Sequence, residues 1–201
     1  MAYASWVTPD KVSGNGNDTV SWTGSVHTGR NSRTTTATFA ASGVESKTLT
    51  IVQAGKAEFV DIQDTATVAK SGGTLTVTGT SNSPKLYFRI GPSSIGGLSV
   101  PATYLANSVQ TSNDTAIAGD PGATQEYAFS ITFTGIQENE FTTPGTCQLT
   151  VEANNGSTDI CDITQAAGDA YLTISPATIN LTAAGSAVSV SVSSNTSWTI
   201  S

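Results

Sequence analysis

The sequence predicts an all-β protein made of two β-sandwiches, and three observations support this fold class. Apolar and polar residues alternate with a period of two along nearly every candidate element, as in 188–193, where valine and serine alternate. Charged residues make up only 11% of the chain, whereas Thr, Ser, Gly and Asn are abundant, which is typical of short strands joined by tight turns. Helical periodicity is nearly absent, and only 101–110, with Pro101 at its start, predicts a short helix.

Length and charge restrict the class of protein further. A chain of 201 residues with 37% apolar residues can form two ordinary domains, each with a core. Eight Lys and Arg against fifteen Asp and Glu give a net charge of −7, which argues against a nucleic-acid partner because phosphate binding requires clustered positive charge. We expect no membrane-spanning segment, since no apolar run is long enough. We also expect no secretory signal, because segment 1–14 lacks its basic and apolar regions.

The two cysteines, Cys147 and Cys161, fall on consecutive predicted strands joined by a turn at 154–157. Pairing about that turn places them on one face but a diagonal step apart, which favours two buried thiols over a disulfide. Free thiols indicate synthesis in a reducing compartment. A zinc site is not expected, because the chain has only two cysteines and one histidine.

An internal repeat organises the chain. Segment 46–55 matches 157–168, since both contain Ile-x-Gln-Ala near their ends, and 35–43 matches 146–156, so each pair predicts a terminal β-hairpin. Other segments also correspond: 20–24 with 131–135, 6–9 with 98–101, 13–16 with 119–122, 59–62 with 172–174, 72–77 with 184–192, 81–82 with 194–195, and 85–88 with 198–200. The chain therefore holds one whole unit, the rear part of a unit before it and the front part of a unit after it.

This repeat predicts a split domain, formed by 1–56 together with 169–201, beside a whole sandwich at 57–168 that carries a loop insertion at about 102–118. The front part alone is too short to fold, so it must be completed, either by the same chain as a circular permutation or by a neighbouring subunit through strand donation. High local concentration favours the same-chain form. The residues expected to complete the split domain are Leu172, Ile174, Val188, Val190, Val192 and Trp198, packed with Trp6, Val20, Trp22, Phe39, Leu49 and Ile51.

The two ends of the chain resemble the BACON domain, an immunoglobulin-like β-sandwich common in Bacteroidetes proteins and in crAss-like phages of gut Bacteroides. The residues that carry the resemblance are Trp198 after Asn195, Trp6, the turn 13–16, Asn31 with Arg33, and the closing 53–55. The central unit differs, because Leu86 and Leu98 stand where the family has tryptophan. The resemblance implies an immunoglobulin-like fold for both domains and, for the family, a proposed affinity for carbohydrate such as mucin glycans.

No catalytic or metal site is expected. His27 lies in a polar turn without a second histidine or cysteine nearby, and no nucleophile motif accompanies it. Glu138 and Glu140 flank a turn, where solvated carboxylates are more common than a catalytic pair. Asp114 and Asp120, in or beside the insertion, lack the spacing of a calcium loop. We therefore predict a protein without enzyme activity, metal or cofactor.

A sugar ring can stack on an exposed aromatic side chain, so accessible aromatic residues are candidates for glycan binding. Trp22 shares a face with Val20, and the resemblance implies that Trp6 and Trp198 lie in the core, so all three are expected to be packed. Tyr104 and Tyr127, in or near the insertion, are the aromatic residues that could be accessible. The candidate contacts to a ligand or partner are therefore Tyr104, Asp114, Asp120 and Tyr127.

The leading hypothesis for function is a virion structural protein of a crAss-like phage, made in the cytoplasm of the bacterial host. It would be an auxiliary or decoration protein of the capsid, or a component of a head fibre. Its expected partners are other virion proteins, such as the major capsid protein or a fibre, and its own copies. The alternative is a carbohydrate-binding module of a Bacteroides surface protein. Neither hypothesis includes nucleic acid or a membrane as a partner.

Overall fold

The computed structural model describes residues 3–201, and within that range the chain is all-β with no α-helix. The strands form three successive groups, which we name the N-terminal half-unit (residues 3–56), the central unit (57–168) and the C-terminal half-unit (169–201). The strands are β1 (Val7–Pro9), β2 (Trp22–Gly24), β3 (Arg33–Phe39), β4 (Lys47–Gln53), β5 (Val60–Ile62), β6 (Thr65–Val68), β7 (Gly73–Ser81), β8 (Leu86–Ile90), β9 (Thr103–Ala106), β10 (Val109–Ser112), β11 (Tyr127–Ile136), β12 (Gly145–Ala153), β13 (Thr158–Gln165), β14 (Leu172–Ser175) and β15 (Ser191–Ser194).

The central unit contains two sheets that share one apolar core. One sheet has the order β10-β9-β11-β7-β5 and the other has the order β6-β13-β12-β8. Each sheet joins strands from the front of the unit (β5–β8) to strands from its rear (β11–β13), as in the pairs β7–β11, β6–β13 and β8–β12. Core side chains include Ile62, Val77, Leu86, Phe88, Ile131, Phe133, Leu149, Val151 and Ile163.

The pair β7–β11 shows how alternation builds this core. Ile131 lies opposite Val77 and Phe133 lies opposite Leu75, and all four side chains are buried. Full burial of side chains of this size is worth about 1.5–3 kcal/mol each. On the outer face, Thr76 and Thr132 lie opposite each other with their hydroxyl oxygens 3.0 Å apart.

The helix predicted at 101–110 is wrong, because this segment forms a β-hairpin. β9 and β10 pair antiparallel around Asn107 and Ser108, and both turn residues have positive φ, 49° and 65°. Two successive left-handed residues form the two-residue turn that suits the twist of a hairpin. The insertion therefore extends the sheet, since β9 pairs with β11.

The two half-units do not pair with each other. Among residues 3–201, β1 pairs with β2, β3 with β4 and β14 with β15, and none of these strands joins another sheet. Trp198, predicted to pack in a core, is 47% exposed, whereas Trp6, Val20, Trp22, Ile51 and Val192 are partly buried. The other predicted completing residues, Phe39, Leu49, Leu172, Ile174, Val188 and Val190, are exposed.

The prediction of two buried free thiols is confirmed. Cys147 and Cys161 are both free and buried, and each lies opposite a different residue, Ile163 and Leu149 respectively. Burial raises the pKa of the Cys161 thiol to about 11, and the carboxylates of Asp162, Asp64 and Asp159 add to the shift. Burial also raises the pKa of Cys147.

The raised pKa of Cys161 predicts a loss of stability at alkaline pH. An unfolded thiol loses its proton near pH 8.5, whereas the folded thiol keeps it to about pH 11, so stability falls as pH rises through this window. In urea titrations, the free energy of unfolding should fall by about 2 kcal/mol more between pH 7 and pH 10 in the unmodified protein than in Cys161→Ala. Parallel pH curves for the two proteins would contradict the assignment.

Candidate functional site

Tyr104 and Tyr127, predicted to be accessible, are core residues instead. Each ring is 3% exposed. Tyr104 packs against Phe88 with ring centroids 4.8 Å apart, and the Tyr127 hydroxyl donates to the carbonyl of Ser83 at 2.8 Å. Burial raises the pKa of Tyr104 to about 12 and also raises the pKa of Tyr127. The physical reason is that Tyr104 lies on β9, where the insertion joins the sheet instead of forming a surface loop, and that Tyr127 lies on β11 itself.

The two aspartates of the predicted contact set lie apart. Asp114 pairs with Lys85 at 2.7 Å on the side of the central unit, while Asp120 pairs with Arg30 of the N-terminal half-unit at 2.5 Å. No group of three or more His, Cys, Asp or Glu residues suited to a metal ion occurs within 3–201. Of the four predicted contact residues, Asp120 therefore lies where two units meet.

We name this contact between the N-terminal half-unit and the central unit the first joint. Its centre is Asn82, which is fully buried. The Asn82 Oδ1 accepts from the amide of Phe59 at 2.9 Å, and its Nδ2 lies 3.2–3.3 Å from the carbonyl oxygens of Thr28, Lys56 and Ala57. Because both ends of the side-chain amide are bonded, one asparagine connects residues of both units.

Hydrogen bonds between backbone groups of the two units form a second part of the first joint. The amides of Arg30 and Asn31 donate to the carbonyls of Gly122 and Ala123 at 2.8 and 2.9 Å. A Cβ on Gly29 would lie 2.2 Å from the carbonyl carbon of Thr124, so this close approach requires glycine at position 29. The loop 119–126 therefore fits tightly against the N-terminal half-unit.

The contact between the central unit and the C-terminal half-unit, which we name the second joint, is also centred on an asparagine. Asn195 Oδ1 accepts from the amide of Tyr171 at 3.0 Å, and its Nδ2 donates to the carbonyls of Glu140 and Asp169 at 2.8 Å. Ser194 Oγ donates to the carbonyl of Tyr171 at 2.8 Å. Ser81 and Phe59 make that same contact at the first joint, at 2.6 Å. Asn195 is therefore the counterpart of Asn82.

Strand register confirms that the sequence repeat is also a structural repeat. β14–β15 places Leu172 opposite Ser194 and Ile174 opposite Val192, as β5–β7 places Val60 opposite Ser81 and Ile62 opposite Gly79. The rear hairpins agree too. Gln53 Nε2 donates to the carbonyl of Ser25 at 2.9 Å, and Gln165 Nε2 donates to that of Gln137 at 2.7 Å.

The two joints lie at opposite ends of the central unit. β7 ends at Ser81, beside Asn82 and the first joint, and begins at Gly73, which lies opposite Ile136, just before the second joint. A nine-residue strand is about 27 Å long. Within residues 3–201, the half-units contact opposite ends of the central unit and their strands do not pair, so same-chain closure stays a prediction.

A groove of about 520 Å³ lies at the second joint. Phe141 and Tyr171, both exposed, line it together with Glu140, Asn195 and Ser197. At the second joint, the amide of Gly168 donates to the carbonyl of Phe141. At the first joint, the amide of Lys56 makes the corresponding bond to the carbonyl of Gly29, so Gly29 is the counterpart of Phe141. There, the loop 119–126 covers the corresponding surface. The groove is thus the uncovered side of the second joint.

No family model matches the chain, and no curated protein matches it either. The BACON resemblance therefore stays a prediction. The part of the chain that the structure describes contains no helix long and apolar enough to span a bilayer.

The two asparagines were missed as functional residues, although the sequence carried a signal for them. Ser81-Asn82 and Ser194-Asn195 recur at matching positions of the repeat. Recurrence alone does not reveal that the amide reaches the unit before it. That contact depends on the turn that follows each strand.

Each asparagine should stabilise its own joint and not the other. Replacing Asn82 by alanine leaves the amide of Phe59 and several carbonyls without partners, and each such group costs about 1–3 kcal/mol. Amide hydrogen exchange followed by NMR should therefore speed up at Phe59 and Arg30 in Asn82→Ala, with no change at Tyr171. Asn195→Ala is the matched control and should give the reverse pattern. Equal effects at both joints in either variant would refute two separate joints.

Proposed function

We propose that this chain is a structural protein that contributes a row of β-sandwich units to the surface of a virion, as a decoration protein of the capsid or a component of a head fibre. The observation that carries the structural role is the repeated joint. Each of two successive contacts between units contains an asparagine at the corresponding position, which binds corresponding backbone groups, and the adjoining strands have the same register. A contact that is repeated in this way sets a fixed orientation from one unit to the next.

The rigidity of the joint supports this role. Asn82 is fully buried with its polar atoms bonded, and buried polar networks of this kind specify one arrangement. Arg30 adds a hydrogen bond to the carbonyl of Asn82 at 2.6 Å and the ion pair with Asp120. A stiff row of small domains suits surface display and reinforcement of a shell.

The strongest pKa shifts support a structural role over a catalytic one. They belong to Tyr104, Tyr127 and Cys161, and burial is the first cause of each. Shifted groups at active sites usually line a cleft, whereas these side chains pack in the core of the central unit.

The virion is proposed as the location because of the resemblance to BACON domains of crAss-like phages. That resemblance supplies the expected partners, which are the major capsid protein or a fibre protein and further copies of this chain. The alternative of a glycan-binding module has less support, because Tyr104 and Tyr127, on which it depended, are buried.

Purified virions of the phage that encodes this chain should contain it in many copies. Quantitative mass spectrometry of particles washed in high salt measures the copy number against the major capsid protein. A host ribosomal protein serves as the contamination control. Immunogold labelling then separates a capsid position from a fibre position. Levels no higher than the control would reject the virion assignment.

A further inference from the structure

We propose that the C-terminal half-unit of one chain is completed by the N-terminal half-unit of a second copy, so that copies join head to tail. This inference concerns an interaction surface and does not depend on a virion location. The central unit serves as the internal template, because it shows how a front part and a rear part of this repeat pair when both are present.

Each pairing between a front strand and a rear strand of the template has a counterpart in which one of the two strands is missing. In the central unit, front strands β6, β7 and β8 pair with rear strands β13, β11 and β12. The C-terminal half-unit holds the matching front segments at 178–181, 186–194 and 198–201, and the N-terminal half-unit holds the matching rear strands β4, β2 and β3. Within 3–201, none of these front segments pairs with a rear strand.

The open edge of β2 is the edge that the template uses. The amide of Ser25 donates to the carbonyl of Trp6 at 2.7 Å, as the amide of Gln137 donates to the carbonyl of Gly96 at 2.9 Å. β1 therefore occupies the edge of β2 that residues near Gly96 occupy beside β11. The other edge, where β11 receives β7, pairs with no strand of residues 3–201 on β2.

The faces that would meet are apolar and exposed. Val188 and Val190 are 44% and 38% exposed, whereas their counterparts Leu75 and Val77 are 8% and 0% exposed. Leu181, the counterpart of the buried Val68, is 64% exposed. Unpaired alternating strands are prone to pair with other chains, and here the matching partner strands exist on the same kind of molecule.

The turn at Gly185 in the C-terminal half-unit has the same backbone conformation as the turn at Gly72 in the template. Gly185 has φ of 73° and donates to the carbonyl of Thr182 at 3.0 Å, while Gly72 has φ of 71° and donates to that of Ala69 at 3.0 Å. A Cβ on Gly72 would lie 2.2 Å from the carbonyl oxygen of Ile136, whereas at Gly185 nothing lies within 4 Å. The surface that covers this turn is thus missing at Gly185. Gly72 is covered by the backbone at the end of β11, and the corresponding backbone in the N-terminal half-unit is the segment that follows β2.

The groove at the second joint fits the same partner. At the first joint, the loop 119–126, which precedes β11, covers the surface beside Gly29. The corresponding loop before β2 is 10–19. When β2 of a second copy pairs with 186–190, that copy's loop 10–19 reaches the groove beside Phe141 and Tyr171.

A second copy fits as the partner because its N-terminal half-unit carries the rear strands of the template, whereas the two half-units of one chain contact opposite ends of β7, a nine-residue strand about 27 Å long. The contact is heterologous, and such contacts propagate as open rows unless the rotation closes a ring. The template also gives the register between copies. Val190 lies opposite Val20, Val188 lies opposite Trp22, and on the outer face Ser189 lies opposite Ser21.

Cysteine cross-linking tests this register. Ser189 and Ser21 are the counterparts of Thr76 and Thr132, whose hydroxyl oxygens are 3.0 Å apart, so cysteines at these positions should form a disulfide. Full-length Ser21→Cys is mixed with full-length Ser189→Cys and oxidised. We expect a covalent dimer of the two chains on a non-reducing gel. The native Cys147 and Cys161 are buried and should not react.

Ser191→Cys is the matched control, because Ser191 is also exposed on the same face but is displaced along the strand by about 7 Å. Its mixture with Ser21→Cys should give at least tenfold less dimer. The double variant Ser21→Cys/Ser189→Cys should give a ladder of covalent oligomers. A cross-linked monomer from the double variant would show same-chain closure and overturn the proposal. Absence of any cross-link, with circular dichroism showing folded variants, would also overturn it.

Discussion

The arrangement of this protein depends on one asparagine side chain at each joint, fully buried at the first joint and half-buried at the second. Asn82 and Asn195 each follow the end of a front strand, accept a backbone amide of their own unit and donate to carbonyls of the unit before it. An amide side chain has both donors and acceptors, so it can satisfy backbone groups on two sides at once. Because each asparagine directly follows a strand of its own unit, its hydrogen bonds fix the orientation of that unit relative to the unit before it.

The pairing pattern within a unit explains why the half-units are incomplete. Front and rear strands mix in both sheets of the central unit, so a division between front and rear leaves open edges on both parts. The folded backbone of each part still has the local geometry of the whole, as the registers of β14–β15 and β3–β4 show. Local hydrogen bonds and turns therefore form within each part, whereas the core requires both.

Sequence patterns predicted much of this fold, and the failures have physical causes. Period-two alternation located β7, β11, β12 and β13, and the spacing about turn 154–157 placed the cysteines correctly. The hairpin β9–β10 was missed because Asn107-Ser108 is a weaker turn signal than Asn-Gly. The repeat predicted corresponding front hairpins, and β14–β15 and β5–β7 share the same register.

The candidate site was harder to predict than the fold. The sequence around Tyr104 has no local sign of burial, because its burial depends on the tertiary pairing of β9 with β11. Glycine is required at position 29 because the backbone of Thr124, which is distant in sequence, lies against it. Such contacts between units leave no local pattern of hydrophobicity.

The most direct test of this account is a cryo-EM reconstruction of the concentrated protein. The account predicts rows in which successive copies share one composite sandwich with the strand order of the central unit, with 186–190 of one copy antiparallel to β2 of the next. Rows joined through another surface, or isolated chains whose 186–190 segments remain unpaired at every concentration, would contradict it.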